Sequence, residues 1–287
     1  MEDANLLRDF LKPETIEEAL RLRHEIADSV YIAGGAEVNS LYWETAHKNI
    51  AQTAISVAGI LDSSITKDND GVHIGANAVI QDLLETGGVP RLLQAAARQF
   101  VSRNVRSVAT IGGHVATSMS CGNILCALTA LEAIVETYDE NGAHQRKIAD
   151  FLACHDSREL VTGVFVPCRH KKYFWGTRVY RRTANDISII ISDVIWSGTK
   201  EKLEDVRIVV GGVAKTPVRL YQLEKELEGA ALPGRDEIEA KVKELVSPIG
   251  DLRGSAEFKR HIAAVLTAWS LHNVEPNCCG EQSCTEE

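Results

Sequence analysis

Two pairs of adjacent glycines are the residues of this 287-residue chain whose type and spacing could do chemistry. Gly34–Gly35 lies in "YIAGGAEVNS" (31–40) and Gly112–Gly113 in "SVATIGGHVATS" (107–118). Glycine admits φ > 0 and lets a ligand approach the main chain closely. Successive N–H groups in such bends form an anion-binding concavity, which suits a pyrophosphate because its charge needs many donors. One such pair alone reads as turn punctuation. Two pairs of like texture, each after a β-type run, predict bends whose amides serve one long anionic ligand. A third pair, Gly211–Gly212, sits within a β run and reads as a bulge or close packing.

Composition narrows the alternatives. The formal net charge is −9, and the densest basic run is "RHKK" (169–172), so no basic stripe for nucleic acid is present. An acidic chain that binds phosphates must do so locally, with backbone amides and a few placed cations. No apolar run is long enough to span a bilayer. The start of the chain carries no secretory signature, so a soluble, cytoplasmic protein is expected. Seven cysteines, an odd number, argue against a disulfide framework. Three lie in "NCCGEQSC" (277–284), read as part of a polar, mobile tail from about residue 273 rather than a zinc site. No iron–sulfur cysteine pattern appears, and no resident metal is expected. The G-x-G-x-x-G fingerprint, the Walker loop and G-x-S-x-G are all missing, which disfavours a Rossmann-type nicotinamide enzyme and a serine hydrolase.

The elements that must position the bends follow from pattern. Thr15 and Glu18 form a capping box opening a helix that stops near Asp28. "VYIA" (30–33) and "TAISV" (53–57) read as strands, and "DNDG" (68–71) as a hairpin turn. Helices are expected over 78–85, 90–100 and 124–133, with 101–123 an irregular functional segment between them. "ENG" (140–142) turns another hairpin. From about residue 158 four strand-like runs are followed by three helical ones, which implies an antiparallel sheet with helices on one face. Trp196 and Trp269 read as core. The fold class is α+β. Residues 1–167 form one domain and residues 168–287 a smaller α+β domain, divided where Pro167 interrupts the pattern.

Beyond these patterns, the residues match a known family. "AGGAEVNS" (33–40) resembles the A-G-G-T-[DE]-L loop of the FAD-binding subunits of molybdenum hydroxylases, the xanthine dehydrogenase and carbon monoxide dehydrogenase type. "RNVRSVATIGGHVATSMSCGN" (103–123) resembles that family's R-N-x-A-T-I-G-G-N segment, which continues into P-x-x-D. "VRIVVGGVAKTPVRL" (206–220) and "SAEFKRHIAAVL" (255–266) resemble its C-terminal signatures. The four segments occur in the family's order and span most of the chain.

The resemblance implies that residues 1–167 are an FAD-binding domain in two lobes, with their boundary near residue 60 and FAD extended between them. It assigns the pyrophosphate to Ala33, Gly34, Gly35, Ala36, Glu37 and Val38, and a second set of contacts to Thr110, Ile111, Gly112, Gly113 and His114. Phe100 falls where an aromatic meets adenine, although plain core packing also suits it. Asn123 falls at an aspartate near the adenosine portion. Val161 and Arg178 fall at flavin-side positions, and Arg178 could equally pair with Asp186. Catalytic side chains are not implied, because the cofactor carries the chemistry. Molybdopterin and [2Fe–2S] clusters are implied only in partner subunits, a large and a small one, with NAD among the candidate acceptors.

The chain departs from the pattern at Ala36 for threonine, His114 for asparagine and Asn123 for aspartate. Each lost neutral hydrogen bond is worth ~0.5–1.5 kcal/mol. Two other functions therefore stand beside the electron-transfer subunit. One is a self-contained FAD oxidoreductase of the same fold superfamily, and the other a scaffold subunit that has lost FAD.

Overall fold

The computed structural model describes residues 7–38, 51–168 and 172–277. Asn39, Ser40, most of the basic run and Cys278, Cys279 and Cys284 lie outside the described residues.

The first lobe is a small parallel sheet of β1 (Asp9–Leu11), β2 (Ser29–Ile32) and β3 (Thr53–Ser56), ordered β1-β3-β2. Parallel strands of one sheet need a crossover, and the helix Ile16–Glu25 connects β1 to β2 on the two sides of β3. Thr15 Oγ1 accepts from Glu18 N at 3.1 Å, as a capping box requires. Glu18 reaches back one residue further than expected, its Oε2 accepting from Glu14 N at 2.8 Å. The helix ends at Glu25, three residues before the predicted stop. Ala19, Ile55, Val57 and Leu160 are its buried contacts with the sheets.

The second lobe is an antiparallel sheet of β4 (Ile65–Lys67), β5 (Gly71–Gly75), β6 (Ile134–Asp139), β7 (Gly142–Lys147) and β8 (Leu160–Pro167), ordered β4-β5-β8-β6-β7. Asp68 Oδ1 closes the β4–β5 turn by accepting from Asp70 N and Gly71 N at 2.8 and 2.9 Å. The helices Arg91–Arg98 and Asn123–Ala130 supply much of its core.

Two expectations change here. The predicted helix over 78–85 is reduced to Asp82–Glu85. Ile80 N donates instead to Ala109 O and Gln81 N to Arg106 O, at 2.9 and 3.1 Å, which ties this stretch to the next segment. The segment 101–123, expected to be irregular, holds two short helices, Arg103–Arg106 and Ile111–Ala116. Ser102 and Thr110 cap them. Helices of one or two turns are too short to display a 3.6-residue apolar period.

The third unit is an antiparallel sheet of β9 (Tyr173–Tyr180), β10 (Ile190–Thr199), β11 (Lys202–Gly211), β12 (Val218–Arg219) and β13 (Glu275–Asn277), ordered β12-β11-β10-β9-β13. The helices Tyr221–Leu227, Arg235–Leu245 and Ala256–His272 follow β12. The sheet is covered on both faces rather than one. Ile190, Val194 and Trp196 pack with the C-terminal helices, while Ile191 and Ile195 join the core of the second lobe. That is why β10 is buried without a break from Ile190 to Ser197.

Two further corrections belong here. Trp196 is buried as predicted, but Trp269 is 44% exposed, with the Arg178 guanidinium 4.8 Å from its ring centroid. Residues 275–277, assigned to a polar tail, instead pair with β9, whose edge offered unpaired backbone groups.

Candidate cofactor site

Both glycine bends line one cavity of about 470 Å³, within the usual span for a small-molecule site. Residues 30–38 of the first lobe form one wall. The second lobe contributes Thr110 to Asn123 and the entry to β8, and Ser188 closes the far side from the C-terminal domain.

The first bend has the properties its sequence announced. Gly35 has φ +70, a left-handed conformation that L-residues rarely adopt. A Cβ on Gly34 would lie 1.5 Å from Val108 O, so this bend docks directly against the segment leading to the second. Among the described residues the amides of Gly34, Gly35 and Ala36 reach no protein acceptor, which leaves them available to an anion.

The second bend works differently from the prediction. Gly112 and Gly113 lie in the first turn of the helix Ile111–Ala116, not in an open loop. Ile111 N donates to Ala78 O at 2.9 Å, Gly112 N to Ala76 O at 2.8 Å and Gly113 N to Thr110 Oγ1 at 3.2 Å. These amides are already bonded within the protein. Gly112 is glycine for space, because a Cβ there would sit 2.5 Å from Ala76 Cβ. Its role is close approach between helix and strand end, which brings Thr110, Gly113 and His114 to the wall.

His114 is the most pointed side chain of the site. Its ring packs edge-on against Phe100, with centroids 5.1 Å apart. Its Nε2 is shielded from solvent and has no hydrogen-bond partner. Burial pulls the imidazole down to about 4, so the ring is neutral at pH 7. A neutral ring with one unpaired buried nitrogen can meet either a donor or an acceptor on a ligand.

Asn123 is buried at the first turn of its helix, and its Oδ1 accepts from Ser188 Oγ at 3.0 Å. Ala33, Ala36, Glu37, Val38, Phe100 and Val161 all reach the wall. Two predicted residues do not. Ile111 is fully buried in the second-lobe core. Arg178 bonds Thr177 O at 2.7 Å and stacks on Trp269, while Asp186 pairs with Arg182 at 2.9 Å, so neither alternative for Arg178 is realised.

The wall includes neither lysine nor arginine among the described residues. Two of its carboxylates pair with arginines: Glu159 accepts from Arg146, and also from Thr137 Oγ1 at 2.7 Å, and Asp186 from Arg182. The bond from Arg182 holds the Asp186 carboxyl below its ordinary range. The charge of these two carboxylates is thus compensated, and the unpaired amides of the first bend offer main-chain donors to an anion. Sequence reading missed His155, Ser157 and Glu159, which line the cavity just before β8. Their signal was a polar run, "CHDSRE" (154–159), at the entry to an apolar strand. Among the described residues no group of three metal-ligating side chains occurs, and no helix is long and apolar enough to cross a membrane.

Comparison with known proteins places this geometry. Residues 5–169 match the model of the FAD binding domain in molybdopterin dehydrogenase. Residues 176–274 match the CO dehydrogenase flavoprotein C-terminal domain. The chain is 32% identical over 265 residues to the uncharacterized protein YgfM of Escherichia coli K12, covering 92% of this chain and 95% of that one. It is 27% identical over 269 residues to the nicotine 6-hydroxylase medium subunit of Paenarthrobacter nicotinovorans, covering 90% and 93%. A carbon monoxide dehydrogenase chain from Hydrogenophaga pseudoflava superposes with a TM-score of 0.85 at 22% identity, covering 93% of this chain and 96% of that one.

Proposed function

Because the chain belongs to the family of FAD-binding subunits of molybdenum hydroxylases, we propose that it relays electrons from the [2Fe–2S] clusters of a partner subunit to an acceptor such as NAD. Molybdopterin and the clusters belong to other subunits in the family's complexes, so this chain's task is to hold and orient FAD. When bound, FAD supplies the exchange between one-electron and two-electron transfer.

The observation that carries the reading is a single cavity joining a bend of unpaired amides to an aromatic pocket. The amides of Gly34, Gly35 and Ala36 are fitted to the diphosphate, because among the described residues they point no bond elsewhere and the wall carries no competing cation. The left-handed backbone at Gly35 turns successive N–H groups to one side, as an anion concavity requires. Phe100 offers a ring face for stacking, and His114 Nε2 offers one hydrogen bond that the protein leaves unmade. Val161 and Leu160 give an apolar surface against which a planar ring system excludes water. Asn123 is held by Ser188, and its amide keeps this end of the cavity uncharged.

The test is titration of the purified full chain with FAD, followed by flavin fluorescence and visible absorption, together with affinity capture from native cells. Stoichiometric FAD uptake and co-capture of cluster-bearing and molybdenum-bearing chains are expected. Protein that takes up no flavin at saturating FAD would leave only a scaffold. Reduction of a small substrate by the isolated chain would end the relay reading.

A further inference from the structure

Val101 holds a backbone conformation that its own side chain opposes. Its φ is +32, and a β-branched residue at positive φ is a steric outlier. It sits on the cavity wall immediately after Phe100. Such strain persists only where the surroundings over-determine the backbone, and it concentrates at functional sites.

The surroundings here are two arginines from different domains. Arg106, in the second lobe, donates from Nη1 to Phe100 O at 3.0 Å and from Nε to Gln81 Oε1 at 3.1 Å. Arg181, at the exit of β9 in the C-terminal domain, donates from Nη1 to Gln99 O at 3.0 Å and to Ala184 O at 2.9 Å. The carbonyls of the two residues preceding Val101 are therefore each fixed by a guanidinium. The Phe100 ring leaves the chain between them and meets the His114 ring at 85°, with centroids 5.1 Å apart.

We propose that Arg106 and Arg181 are positioning residues that hold the Gln99–Val101 bend in its strained form, so that the Phe100 ring is preset as a stacking platform for an aromatic end of the dinucleotide. The C-terminal domain is thereby part of the cofactor site, although it contributes little of the cavity wall. This inference rests on the FAD reading above. Its physical content is preorganisation: a ring already ordered loses less freedom when a ligand stacks on it.

The full chain and three variants are titrated with FAD by flavin fluorescence, and thermal unfolding is followed without FAD. Val101→Gly relieves the steric conflict and frees the bend. Its unliganded Tm is expected to rise by ~2–4 °C, while its FAD Kd increases about two- to fivefold. Val101→Ala keeps a Cβ, hence most of the strain, and removes only the two γ-methyl groups; its Kd is expected to rise less than that of Val101→Gly. Arg181→Met loosens the bend from the C-terminal side and weakens FAD about three- to tenfold. A merely structural role would lower Tm and affinity together, whereas Val101→Gly moves them in opposite directions. Wild-type affinity in Val101→Gly, or equal weakening by Ala and Gly, overturns the inference and leaves FAD binding standing. Absence of FAD uptake by the wild-type chain removes the FAD reading, and the inference with it.

Discussion

Replacement of Asp193 by asparagine is expected to stabilise the protein above neutral pH and to do little below pH 4. Asp193 lies at the centre of β10, fully buried, with Thr177 on β9 and Val209 on β11 as its register partners. It faces the core shared with the second lobe, and Cys126 on the helix Asn123–Ala130 feels its charge. Neither carboxylate oxygen has a hydrogen-bond partner at proper geometry. Burial raises the carboxyl from 3.8 to about 7, and Thr177 offsets part of that rise. The folded pKa is raised above the unfolded one, so the contribution to stability is intact below pH 4 and is lost as pH climbs through 7. At about 1.36 kcal/mol per pH unit, the loss amounts to ~4 kcal/mol. For a chain of this length that corresponds to ~7 °C in Tm. The side-chain amide of Asp193→Asn cannot ionise, so the difference in Tm between variant and wild type should grow from near zero at pH 4 to ~7 °C at pH 8. Scanning calorimetry in matched buffers reads it directly. A difference independent of pH, or a variant less stable at pH 8, would show that the carboxylate finds compensation in the core.

Other perturbations follow from the site. Gly34→Ala drives a methyl group into Val108 O and is expected to destabilise by at least ~1–3 kcal/mol, with loss of FAD uptake, read by denaturant unfolding and flavin fluorescence. Asn123→Ala leaves the buried Ser188 hydroxyl unpaired and should lower stability by ~1–3 kcal/mol; an unchanged unfolding midpoint would deny that the bond matters. His114 has a depressed pKa, so its stabilising contribution is present above 6.5 and falls away as pH drops toward 4. FAD affinity should therefore be flat from pH 6.5 to 8, and His114→Gln should flatten the acid limb of the stability profile. A step in affinity near pH 6.5 in the wild type would contradict a neutral, buried ring.

Much of the site was legible because glycine is legible. The requirement for a left-handed residue at 35 and for a missing Cβ at 34 and 112 is written in the residue type, as is the capping at Thr15. What those glycines do could not be read so directly. Whether an amide is free depends on which carbonyl lies opposite it; the carbonyl of Ala78 comes from a segment that looked helical in sequence, and that of Ala76 lies two residues before it. Hence the second bend was expected to donate to a ligand, while its amides bond within the fold. Arg178 failed for a related reason. Its position on β9 was correct, but strand alternation sends residues of its parity toward the C-terminal helix rather than the cavity. Val101 carried no signal at all, because valine advertises ordinary β structure.

The fastenings of the site mostly cross between units. Gly34 meets Val108, Asn123 meets Ser188, Arg181 meets Gln99, and Gly212 N donates to Ser120 O at 3.1 Å. A ligand seated in such a cavity touches all three units and binds only when they are docked. Mass action then makes cofactor binding and domain docking one equilibrium: at a hundred times Kd the docked state gains ~2.7 kcal/mol. That gain is comparable with the loss expected when any one of these crossing contacts is removed. A variant that weakens one crossing contact and still binds FAD, such as Arg181→Met, should therefore regain much of its Tm when FAD is added. A variant damaged within a single core, such as the second-lobe helix Arg91–Arg98, gains no more from FAD than the wild type does. The size of the FAD-induced rise, compared across the two classes, distinguishes a cofactor that merely occupies the cavity from one that holds the units together.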